Sequence, residues 1–179
     1  MFKLIHTPLP GALLIVPGAF QDRRGAFVKT FHASLAAELG GRFDLQEEFY
    51  SISNRNVLRG MHFQVPPKAH NKIVYCAHGA VSDVILDLRQ ASGAYGQHFA
   101  TELSGENRAV LFIPRGCAHG FLALTEGAIM VYKTDAVHAP ECDAGIRWDT
   151  FGYAWSCADP ILSERDLRFP AWADFASPF

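Results

Sequence analysis

Short apolar runs, closed off repeatedly by glycine, set the strongest limit on what this chain can become. They are Ala12 to Val16, Val57 to His62, Lys72 to Ala77, Val81 to Leu88, Val110 to Ile113, Phe121 to Leu124 and Ile129 to Lys133. Gly79, Gly96, Gly105, Gly116 and Gly127 punctuate them. Strands at this spacing with glycine-rich turns indicate an all-β barrel or double-sheet jelly roll. The helical signal is weak. Ser34 to Leu39 reads as one helix, with Ser34 as N-cap and Gly40-Gly41 as its stop. A short turn begins at Ser163, and the Trp- and Phe-rich tail after Pro170 is expected to pack on the barrel or on a partner subunit.

The 179 residues, 49% of them hydrophobic, suit a single domain over 1–179 with one good core. A net charge of -2 leaves no basic field for a nucleic acid. No apolar run approaches the roughly 18 residues that span a bilayer. Residues Met1 to Pro17, interrupted by Pro8 and Pro10, do not read as a signal peptide. Cys76, Cys117, Cys142 and Cys157 are scattered, with no C-x-x-C pair, and read as free thiols of a cytoplasmic protein.

Titratable residues inside otherwise apolar strands point to chemistry. In Leu58-Arg59-Gly60-Met61-His62-Phe63-Gln64, strand alternation puts Arg59, Met61 and Phe63 on one face and His62 and Gln64 on the other. Lys72 opens a second strand, and Tyr132-Lys133 sits in a third. A His, a Lys and a Tyr collected from separate strands into one interior make a plausible proton-transfer site. Pro114 to Gly120 contains Pro-x-Gly-x-x-His, half of what a metal-binding cupin carries. The other half would be His-x-His, and here only His62 of His62-Phe63-Gln64 remains, so no metal is expected. No Gly-x-Gly-x-x-Gly fingerprint is present, and no cofactor is expected.

Together these segments resemble the dTDP-4-dehydrorhamnose 3,5-epimerase family of nucleotide-linked 4-keto-6-deoxy sugar epimerases. The likeness runs from Asp22-Arg23-Arg24-Gly25-Ala26-Phe27 through Arg59-Gly60-Met61-His62 and Lys72. It continues through Asp83-Val84, Ala118-His119-Gly120-Phe121 and Val131-Tyr132-Lys133-Thr134 to Leu162-Ser163-Glu164-Arg165-Asp166. The resemblance implies a cupin-like jelly roll with few short helices, paired as a homodimer with exchanged strands. It implies a cofactor-independent epimerase acting on a nucleotide-diphosphate sugar. His62 would be the base, Asp166 its orienting partner, Lys72 the cation at the enolate oxygen and Tyr132 the acid on the opposite face. Arg24, Arg59 and His119 would help hold the diphosphate and sugar. Phe27, Lys29, Glu47 and Gln64, which the chain places in or beside the same segments, are further candidate substrate contacts. The expected setting is deoxysugar or cell-surface polysaccharide biosynthesis.

The pattern breaks at the nucleotide end. Lys29 stands where the family usually has Glu, and Glu47-Glu48-Phe49 replaces Gln-Asp-Asn. Either these carboxylates read a base richer in donors than thymine, such as guanine or cytosine, or they lie outside the site. The nucleotide thus stays open among dTDP, CDP and GDP. The segment from Trp148 to Trp155 is also shorter than the family norm. Three other functions compete: a sugar 3,4-ketoisomerase, which would not need Tyr132, a non-catalytic nucleotide-sugar binding protein, and last a metal-dependent cupin oxygenase.

Overall fold

The structure, a computed structural model, describes residues 2–39, 41 and 43–179. In chain order the strands are β1 (Phe2–His6), β2 (Leu13–Pro17), β3 (Ala19–Asp22), β4 (Gly25–Val28), β5 (Glu47–Ser53), β6 (Leu58–Gln64) and β7 (Lys72–His78). They continue with β8 (Ala80–Asp87), β9 (His98–Ser104), β10 (Val110–Ile113), β11 (Cys117–Ala123), β12 (Ala128–Thr134) and β13 (Asp143–Gly145). Helix α1 spans Ala33–Glu38 and α2 spans Glu164–Leu167. The expected runs all fall in strands with ends shifted by a few residues, and three of them gain a polar end, at Gln64 of β6, His78 of β7 and Thr134 of β12.

One sheet has the order β1-β2-β10-β7-β12-β5 and the other β13-β6-β11-β8-β9. Their inner faces meet over a core that includes Val74 and Leu111 from the first sheet and Ile85, Leu103 and Phe121 from the second. Burying each such side chain is worth about 1.5–3 kcal/mol. The outer face of the six-stranded sheet is covered by α1, whose Leu35 meets Ile15, Ile73 and Phe112. The outer face of the five-stranded sheet is covered by the C-terminal segment through Phe151, Trp172, Phe175 and Phe179. The tail therefore packs on its own barrel. The architecture is the all-β, cupin-like double-sheet jelly roll that the sequence indicated, with β3 and β4 forming a small separate sheet.

Two local readings need correction. Helix α1 is capped by His32 rather than Ser34: His32 Nδ1 accepts from the Ser34 amide at 3.1 Å. An imidazole acceptor can fill the capping role usually taken by a hydroxyl, so Ser34 lies inside the first turn. Gly40, half of the expected stop, lies outside the described residues. The second correction is the phase of β6. His62 pairs with His119 but Arg59 pairs with Phe121, so three steps on β6 oppose two on β11. This bulge inserts one extra residue and reverses the alternation. Met61 and Phe63 face the outer core as expected, whereas Arg59 shares the inner wall with His62 and Gln64.

Candidate active site

Between the two inner faces a cavity of about 390 Å³ opens at one end of the barrel. The five-stranded sheet contributes His62 and Gln64 from β6 and His119 from β11. The six-stranded sheet contributes Lys72 from β7, Tyr132 from β12, and Glu47, Phe49 and Ser51 from β5. His62 and Tyr132 thus stand on opposite walls.

His62 Nε2 lies 2.9 Å from Asp166 Oδ1, while Asp166 Oδ2 accepts the Gly60 amide at 3.1 Å. Ser163 caps α2 and accepts from the Asp166 amide, which fixes the carboxylate at the helix start. Burial alone would raise the Asp166 carboxyl. The His62 hydrogen bond and charge, with the Gly60 and Ser163 contacts, outweigh it and hold the pKa at about 2. Burial pulls His62 below its ordinary value against the opposing pull of Asp166, with Arg165 and Lys72 assisting burial. The imidazole is accordingly unprotonated at neutral pH and able to take a proton.

Lys72 is only partly open to the cavity, and that desolvation brings its ammonium down to about 8, opposed by Asp143 and Asp83 and assisted by Arg165. It still carries its charge at neutral pH and can stabilise an oxyanion. Tyr132 is buried, stacks on Phe49 with ring centroids 4.7 Å apart, and has its hydroxyl 3.3 Å from Ser51 Oγ. Burial pushes its phenol well above the ordinary range, so it stays a proton donor.

Among the remaining expected residues, His119 is buried and its Nε2 lies 2.8 Å from Asp83 Oδ2. Arg59 donates to Ser53 Oγ and to the Ile52 carbonyl, which holds its guanidinium along the β5 rim. Gln64 lines the cavity, but its amide is engaged by the wall: Oε1 accepts from Ala139 N, and Nε2 donates to the Lys68 carbonyl. Glu47 lines the cavity and accepts from His138 N at 2.8 Å. Glu48 does not; it points to the other side of the sheet and pairs with Lys133 at 2.5 Å. Of the two carboxylates, one is in the site and one outside it.

Arg24, Phe27 and Lys29 do not reach this cavity within their own chain. They belong to the β3–β4 hairpin and its flank, where Arg24 pairs with Asp22 at 2.6 Å. Phe27 is 63% exposed and its cross-strand neighbour Phe20 71% exposed. Sequence reasoning missed Phe49, Ser51, His70, His138, Asp143 and Arg165, which also line the cavity. The period-two spacing of Glu47, Phe49 and Ser51 was the available signal for the first two. It was weak because β5 opens on two glutamates and carries no continuous apolar run.

Taking a proton from one face of a carbon and returning it to the other is the chemistry this arrangement suits, and it places the chain among the epimerases, a class of isomerase. A family model described as dTDP-4-dehydrorhamnose 3,5-epimerase matches residues 6–174. The dTDP-4-dehydrorhamnose 3,5-epimerase of Methanothermobacter thermautotrophicus is 42% identical over 173 residues, covering 94% of this chain and 93% of that protein. The crystal structure of the Bacillus anthracis dTDP-4-dehydrorhamnose 3,5-epimerase, with TDP and PPi bound, is 34% identical with a TM-score of 0.92. That match covers 96% of this chain and 99% of the other. The Legionella pneumophila dTDP-6-deoxy-D-glucose-3,5-epimerase, in complex with dTDP-4-keto-L-rhamnose, is 30% identical with a TM-score of 0.93, covering 98% and 95% of the two chains. The chain belongs to the dTDP-4-dehydrorhamnose 3,5-epimerase family.

Proposed function

We propose that this chain, working as a single domain, inverts C3, C5 or both in a dTDP-linked 4-keto-6-deoxy sugar, in deoxysugar or cell-surface polysaccharide biosynthesis. The observation that carries the reading is the opposition of the His62–Asp166 pair on one sheet to the Tyr132 phenol on the other. His62, held by Asp166, removes the proton next to the ketone. The electron pair moves onto the ketone oxygen, where the Lys72 ammonium stabilises the enolate. Tyr132 then returns a proton from the opposite face, and the ketone reforms. Each proton carrier contributes about 10²- to 10⁴-fold. The ketone already on the sugar acidifies the carbon, so the carbon chemistry calls on side chains alone. Arg59 and His119 hold the sugar and its diphosphate, and Glu47 lies toward the nucleotide.

The working unit in this proposal is a homodimer with exchanged strands. Arg24, Phe27 and Lys29 then serve the partner's cavity rather than their own. What supports this is the β3–β4 hairpin, which leaves Phe20 and Phe27 largely exposed, a poor arrangement for aromatic side chains without a cover. The test is incubation in deuterated water with 4-keto-6-deoxy sugars on dTDP, CDP and GDP, followed by proton NMR. Deuterium should enter at the inverted carbons of the dTDP sugar, and His62→Ala should lose that exchange. Preference for another nucleotide would overturn the substrate, and near-normal exchange in His62→Ala would overturn the base. Sedimentation should give a dimer.

A further inference from the structure

Arg165 has the densest set of contacts to the catalytic pair of any residue not yet given a role. One amino nitrogen pairs with Asp143 at 2.5 Å, and Nε lies 3.4 Å from Asp166 Oδ1. The other, Nη2, lies 2.9 Å from His62 Nε2. Its side chain is half exposed, lines the cavity, and rests over the Phe169 ring. His62 Nε2 consequently has two neighbours at the same 2.9 Å: a carboxylate oxygen that can only accept and a guanidinium nitrogen that can only donate. A neutral imidazole satisfies them in different tautomers. With the proton on Nε2, the ring donates to Asp166 and Nδ1 keeps a lone pair for base work. With the proton on Nδ1, Nε2 accepts from Arg165 and no lone pair remains for the substrate.

We propose that Arg165 is a positioning residue that competes with Asp166 for His62 Nε2, holding part of the unliganded enzyme in the inactive tautomer until an anionic substrate group draws the guanidinium away. The substrate class it answers to is a diphosphate ester, whose oxygens accept the planar guanidinium fork in paired hydrogen bonds. Binding then leaves Asp166 alone with Nε2, and the base is switched on by the part of the substrate that does not react. The proposal rests on His62 being the base. The charged and titratable groups that face His62 are few. Asp166 and Arg165 come from α2, Lys72 from β7, His119 with Asp83 behind it from β11 and β8, and Asp143 of β13 through Arg165.

NMR of the ring nitrogens in the histidine-labelled full chain near neutral pH tests this, with the His62 signals assigned by their loss in His62→Asn. The free protein should show both neutral tautomers in exchange, and added dTDP should convert His62 to the Nε2–H form. Arg165→Met should show the Nε2–H form with or without dTDP. Losing a neighbouring cation should also move the acid limb of its kcat/KM profile up by about one pH unit, an effect that loss of packing alone would not produce. A free protein already wholly in the Nε2–H form and unmoved by dTDP would overturn the proposal, and that measurement needs no variant to fold. If His62→Ala kept its solvent exchange, the base assignment itself would fail whatever the tautomers did. Exchange lost in His62→Ala with tautomers unmoved by dTDP would overturn the Arg165 switch alone.

Discussion

Asp166→Asn keeps the size of the side chain and removes its charge, which isolates what the carboxylate contributes. The folded protein holds Asp166 at about 2 against an ordinary 3.8. At about 1.4 kcal/mol per pH unit, this gap corresponds to roughly 2.5 kcal/mol of stability at neutral pH. Water reaching the half-exposed Arg165 beside it trims the figure toward about 1 kcal/mol. The sign is fixed by the direction of the shift. A depressed carboxyl pKa stabilises fully above the ordinary value, and the contribution is lost as pH falls from 3.8 toward about 2. Denaturant unfolding across this range should therefore show a gap between parent and Asp166→Asn that closes in acid. Activity should fall on the order of 10²- to 10⁴-fold, because the imidazole loses the partner that sets its tautomer. Asp166 raises the His62 pKa, so the acid limb of the rate profile should move to lower pH, opposite to the shift in Arg165→Met. A stability gap that stays constant with pH, or an acid limb that does not move, would refute the electrostatic account.

Tyr132→Phe removes only a hydroxyl. Deuterium should still enter the sugar with retention of configuration, while inverted product drops by on the order of 10²-fold; unchanged inversion by NMR would assign the second face to another acid. Lys72 must be charged to act, so the parent rate should decline as pH rises through about 8. Lys72→Met should lose on the order of 10²-fold in rate together with that alkaline limb; a variant retaining the limb would place the titration elsewhere. Gly60→Ala would put a methyl 2.5 Å from Gly120 Cα at a backbone φ of +144°. Thermal and denaturant unfolding should report a loss of about 2–4 kcal/mol, and a negligible loss would mean that the two strands separate freely there.

The sheet cores were legible because strands buried on both faces carry short, nearly continuous apolar runs, as in Val81 to Leu88, where Ile85 enters the inner core and Val84 and Leu86 the outer one. Strands β1, β3, β4, β5, β9 and β13 were not, since they lie at edges or in the exposed hairpin and, except for the four-residue β4, mix polar with apolar residues. His62, Lys72 and Tyr132 could be read from the chain because ionisable groups in apolar strands are costly and stand out, and His119 because it closes a Pro-x-Gly-x-x-His motif. Asp166 stands 104 positions from His62 and becomes its neighbour only through tertiary closure; family likeness, not pattern, brought it forward. Arg165 looked like an ordinary charge in a polar turn. Its role depends on a distance to His62 that no local pattern encodes. Arg59 was assigned the wrong face because alternation assumes an unbroken ladder, and the register shift sits in the backbone.

That register shift fixes a length as well as a composition. Arg59 and His62 stand three apart, an odd interval that an even pleat would send to opposite sides of the sheet. The extra step between them converts odd to even. Removing one residue there would straighten the ladder, yet it would leave both side chains on one wall, now two apart and moved along the barrel relative to Lys72 and Tyr132. Adding one would extend the bulge and loosen the contact between Gly60 and Gly120 that seats it. In this strand the count of residues between two functional groups is therefore as much a part of the site as the groups themselves. A chain that kept every named side chain but altered that count would have the inventory of this enzyme without its alignment.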